Sequence, residues 1–122
     1  MNIALWIGQI LLAVVFTASG LAKSTQSKEK LIEMGQTGVA VFPKTVLRLT
    51  AYSELLGAIG IIVPWWTGIA PVLTPLAAVG FAVVMIGAIT SHIRLHEPRN
   101  IAITTTILII AVLVAIGRFA DL

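Results

Sequence analysis

Cysteine is absent from this chain of 122 residues. That excludes a disulfide scaffold, thiolate metal ligands and thiol–disulfide chemistry together. Charge is scarce as well. Asp, Glu, Lys and Arg make up 11% of the chain, where a soluble domain carries about 25%. So few charges cannot cover a globule of this size, and a disordered chain would carry more. The sequence has no glycine-rich phosphate loop, serine triad or pair of neighbouring carboxylates suited to acid–base work. What it has is apolar: 58% of residues are hydrophobic and mean hydropathy is +1.04. These values belong to a bilayer protein. The net charge of +3 therefore points to anionic lipid rather than to nucleic acid.

Four apolar runs stand out, at residues 3–22, 45–63, 69–91 and 101–117. Twenty residues of helix span about 30 Å, one hydrocarbon thickness. No Lys or Arg precedes the first run, so it reads as a span rather than a cleaved leader. Between the first two runs, Ser27 to Met34 has the pattern of a short amphipathic helix, with Gly35 suited to its end. Pro64-Trp65-Trp66-Thr67-Gly68 reads as a tight turn carrying two interfacial aromatics. Lipid requires internally bonded backbone, so the spans are helices. The expected fold is an all-α integral-membrane up-down four-helix bundle, one domain over residues 1–122, with a short amphipathic helix in the first loop.

Basic residues orient it. Lys23, Lys28, Lys30, Lys44, Arg48, Arg94 and Arg99 fall on the side of the first and third loops, and Arg118 alone falls on the other. Positive loops stay in the cytoplasm, so both termini are expected outside the inner (cytoplasmic) membrane.

Glu54 is the most informative residue. It lies about 16 Å along its helix from Pro43, near the bilayer midplane. A charge there is costly and calls for an interior position and a partner. Thr50, Ala51, Gly57 and Ala58 lie three or four residues away, and Gly57 and Gly60 extend a small ridge where another helix can approach. A purely structural pin is the competing reading. Lys23 is the expected partner. It ends a stripe of Gln9, Ala13, Phe16 and Gly20 on the first span. The alternative for Lys23 is snorkelling to headgroups. His92 ends the third span, above Phe81, Met85 and Ala88 on one face. It suits proton exchange with a ligand, or a bond to a loop carbonyl. His92 and His96 are four apart, but only Glu97 could be a third metal ligand and Pro98 disfavours helix there, so no metal site is expected.

Ser19-Gly20-Leu21-Ala22-Lys23, Glu54-Leu55-Leu56-Gly57 followed by Pro64, and His92 closing the third span together make a pattern that resembles the DoxX-like family of small four-helix membrane proteins. The resemblance covers essentially the whole chain. The family is named for a small subunit of a thiosulfate:quinone oxidoreductase, and other members associate with redox or stress-protection proteins. It implies Gly20, Lys23, Glu54, Gly57 and His92 as pattern positions, and it does not imply a reaction.

Three functions follow as expectations. The first is an accessory protein with no covalently bound cofactor, holding a hydrophobic ligand, quinone or lipid, in a cytoplasm-facing cleft. Lys23, Glu54 and His92 would line its polar end, and Phe16, Phe81 and Met85 its ring or tail. The second is a scaffold that docks a membrane or redox partner protein through the Gly57–Gly60 ridge, with a homo-oligomer as a further alternative. The third is a small proton-coupled transporter using Glu54.

Overall fold

The computed structural model describes residues 1–122 and is helical throughout. Helix α1 spans Asn2–Thr25, α2 Lys28–Glu33, α3 Lys44–Thr67, α4 Leu73–Arg94 and α5 Pro98–Ala120, with a 3₁₀ turn at Thr37–Val41. Helices α1, α3, α4 and α5 are long and apolar enough to cross a bilayer. Their outward faces carry Leu56, Ile59, Val83 and Ile116, each at least 60% exposed. A surface this apolar is stable in lipid, and the chain is a multi-pass membrane protein.

The short helix forms where the sequence signals it. The Ser27 hydroxyl accepts from the Lys30 N–H at the start of α2. Gly35, at φ +96, ends it. There the Gln36 N–H donates to Leu31 and the Gly35 N–H to Ile32, the two bonds of a Schellman end. Leu31 buries against Val39 and Leu47. This anchors the crossing segment, residues 34–42, beneath the bundle.

Two boundaries differ from the sequence reading. The expected turn at Pro64–Gly68 is the last helical turn of α3, and the chain reverses only after Gly68, at φ +73. Accordingly α4 begins at Leu73, not at Ile69. Proline inside a helix leaves the carbonyl four residues earlier without its donor. Here that carbonyl belongs to Gly60, and the hydroxyl of buried Thr74, from α4, donates to it at 2.9 Å. The neighbouring helix thus repairs the bond that Pro64 removes.

The helices form two closely packed pairs, α1 with α3 and α4 with α5. At the end carrying the chain termini the pairs meet tightly. A Cβ at Gly8 of α1 would lie 2.9 Å from Val114 of α5. At mid-depth the rings of Phe16 and Phe81 stack, with centroids 3.9 Å apart and planes within 2°. Gly57 makes this possible, because a Cβ there would lie 2.6 Å from the Phe81 ring. Beyond the stack, towards the end carrying the basic loops, the two pairs separate.

Candidate functional site

The separation leaves a cleft of about 730 Å³, the size of a small-molecule site. Phe16 forms its inner limit, supported from behind by Phe81, and residues 34–42 floor it. Its walls are mostly apolar, with Met85 and Ala88 from α4 and Ile103 and Ile107 from α5. Polar groups gather at the basic end: Lys23 from α1, Gln36 from the crossing segment, His92 from α4 and Asn100 from α5.

Lys23 and His92 are each held by a carboxyl group. The Lys23 Nζ donates to Glu54 Oε1 at 3.0 Å, with the Glu54 side chain fully buried. Glu54 Oε2 has no protein donor. The Lys23 stem is kept in place by its own backbone: its carbonyl accepts from Arg48 Nη1, and the Gln26 carbonyl accepts from Arg48 Nη2 at 3.2 Å. Arg48 therefore caps the carbonyl end of α1 from α3.

His92 Nδ1 lies 2.8 Å from Glu97 Oε1. Two bonds bring Glu97 back to it. The Glu97 N–H donates to the His92 carbonyl and the His96 N–H to that of Ile93, another Schellman end, with His96 at φ +56 in place of the usual glycine. Thr37 Oγ1 donates to the same carboxylate oxygen at 2.8 Å, and Asn100 Nδ2 donates to Thr37 Oγ1 at 3.3 Å. The hydrogen bond to His92, and then that from Thr37, hold the Glu97 carboxyl below its ordinary value of 4.5. A carboxylate on Nδ1 selects the tautomer that donates there, so Nε2 of neutral His92 is an acceptor. The Ser91 hydroxyl donates to the Gly38 carbonyl. Together these bonds tie the crossing segment to the tips of α4 and α5.

The structure thus brings Lys23, His92, Phe16 and Met85 to one cleft, from both helix pairs. Glu54 and Phe81 stand one layer behind, as the partner of Lys23 and of Phe16. Gly20 packs on Leu55 and on the Ala51 carbonyl, while Gly57 and Gly60 face Phe81 and Ala77 of α4. The small-residue ridge on α3 is therefore occupied inside the bundle.

The opposite end holds a polar cluster that sequence reasoning overlooked. Arg118 is 1% exposed. Its Nε donates to Gln9 Oε1 at 2.7 Å, and its Nη1 to Asn2 Oδ1 at 2.9 Å and Asp121 Oδ2 at 3.2 Å. Gln9 Nε2 in turn donates to the Ile61 carbonyl at 2.7 Å. The guanidinium also lies 4.5 Å from the Trp65 ring centre. One side chain thus joins α1, α3 and α5. A lone Gln9 in an otherwise apolar stretch is the signal that could have revealed it.

No curated protein and no solved structure matches the chain. The sequence profile of the DoxX-like family matches residues 7–114, a stretch that contains the Phe16–Phe81 stack and both Lys23 and His92 of the cleft. On that match the chain belongs to the DoxX-like family.

Proposed function

We propose that this DoxX-like protein is an accessory protein of the inner membrane that holds a hydrophobic ligand, quinone or lipid, in the cleft between its two helix pairs. The observation that carries the reading is the placement of Lys23 and His92 on opposite pairs at the polar end of one apolar cleft. A few convergent polar groups above an apolar interior is the usual form of a small-molecule site. The Lys23 ammonium supplies donors and His92 Nε2 an acceptor, so a carbonyl and a hydroxyl of one head can be met together. His92 would accept or return a proton of such a head, and Glu97 would steady the imidazole as it does so. The distribution of Lys and Arg supports a cleft end facing the cytoplasm and both termini outside.

The test is calorimetric titration of the purified protein with decyl-ubiquinone. Lys23→Met and His92→Ala should each weaken binding by about tenfold, and the double variant by less than the product of the two. Binding indifferent to both substitutions would overturn the reading.

A further inference from the structure

The chemistry of the cleft's two open sides narrows the class of ligand further. We infer that the cleft takes an uncharged, single-chain amphiphile whose head sits between Lys23 and His92 and whose tail leaves sideways into the bilayer between α1 and α5. This rests on the ligand-binding reading above and adds head charge and pose to it.

Charge balance carries the first half. Lys23 and His92 are the only ionisable side chains on the cleft wall, and each is already matched by a carboxylate, Glu54 and Glu97. Two further cations of this end are engaged elsewhere. Arg48 holds the Lys23 and Gln26 carbonyls, and Lys28 Nζ donates to the Phe42 carbonyl at 2.9 Å. A sulfate, phosphate or carboxylate head would find no unpaired cation on the cleft wall, and would approach the carboxyl groups that hold Lys23 and His92. A cationic head would have to displace Lys23 from Glu54. Each costs desolvation that no new ion pair offsets. A hydroxyl or carbonyl head needs only the remaining Lys23 protons, His92 Nε2 and the amides of Gln36 and Asn100.

The shape of the seam carries the second half. Near the termini α1 and α5 touch closely, at Gly8 with Val114. Towards the basic end they part, and Val15 and Ala18 on one side face Ile103 and Ile107 on the other across the cleft. Val15 and Ile103 are also exposed on the outer surface, at 38% and 48%, so the gap between them is open to lipid. A shallow apolar groove over Ala13, Val14, Thr17 and Leu21 begins at Ala18 and continues outward along α1. The floor is closed instead, by the bonds of Thr37 and Gly38 to the α4–α5 tips. The slit between α3 and α4 carries Thr50 and Gly87 on its edges, a poorer match for a chain.

The experiment uses the full-length protein in phosphatidylcholine nanodiscs. The probes are three amphiphiles with the same alkyl chain: a glycerol monoether, an alkyl sulfate and an alkyl trimethylammonium. The monoether should bind about tenfold tighter than either ion. If the sulfate or the ammonium binds as tightly as the monoether, the charge argument is overturned. If none of the three binds, the ligand-binding reading itself fails. A second arm compares short- and long-chain monoethers in wild type and in Ala18→Trp, which plugs the slit. Wild type should bind both equally, because the excess chain stays in lipid. Ala18→Trp should keep the short-chain ligand, which also shows that it folds, and lose the long one by about tenfold. Equal binding of both chains by Ala18→Trp, or rejection of the long chain by wild type, would overturn the tail route.

Discussion

Lys23 Nζ lies 3.0 Å from Glu54 Oε1 across the α1–α3 seam, although the two are 31 positions apart in the chain. Lys23 stands on the cleft wall and Glu54 directly behind it. Removing one partner of a buried pair costs more than removing both. Lys23→Met should therefore destabilise the protein by roughly 3 kcal/mol. Lys23→Met with Glu54→Leu should recover most of that loss. Thermal unfolding in detergent checks it, and a double variant weaker than Lys23→Met would show that the pair itself supplies the stability.

The Gly60 carbonyl depends on Thr74 because of Pro64. Thr74→Val should cost about 1–2 kcal/mol. In a Pro64→Ala background the same substitution should cost much less, since alanine restores the helical N–H that proline lacks. A double-mutant cycle by denaturant unfolding gives the coupling, and simple additivity would contradict the repair.

Glu97 is expected to titrate below 4.5, because His92 and Thr37 donate to its ionised form. The sign follows from linkage. A depressed folded value means that the tie between crossing segment and helix tips is fully present above the ordinary carboxylate value and is lost as pH falls through the folded one. Carboxyl NMR titration should place the Glu97 midpoint below 4.5, and His92→Phe should move it upward. An unchanged midpoint in His92→Phe would remove His92 as the principal cause.

Arg118 holds three acceptors with a fork that lysine lacks. Arg118→Lys should cost about 2 kcal/mol or more. Gln9→Ala should couple strongly to it, because the two share one network that ends on the Ile61 carbonyl. Melting of the single and double variants decides this, and a neutral Arg118→Lys would assign the stabilisation to the aromatic contact alone.

Local signals made much of this fold legible in the sequence. Run length gave the spans, Ser27 and Gly35 bounded α2, and the small neighbours of Glu54 marked it as interior. What escaped depends on partners far along the chain. Pro64 reads as a turn until Thr74, on the next helix, supplies its missing bond. Arg118 reads only as the one basic residue of its side, because Asn2 and Gln9 lie 116 and 109 residues away. Glu97 reaches His92 only through a left-handed His96, a conformation that histidine seldom announces. Of the residues named from the sequence, Lys23, His92, Phe16 and Met85 line the cleft, while Glu54 and Phe81 stand behind it. Its shape follows from where the pairs touch and where they part, which periodicity does not encode.

Native mass spectrometry of the protein released from its own membrane shows whether the cleft holds a small hydrophobic molecule. Gly87→Phe is the control. Gly87 lines the cleft, and a Cβ there meets no atom within 4 Å, so the added ring grows into free space. The wild-type protein should carry a bound, uncharged, single-chain molecule that is absent from Gly87→Phe. A wild-type protein that emerges bare, or the same adduct on both proteins, would contradict it.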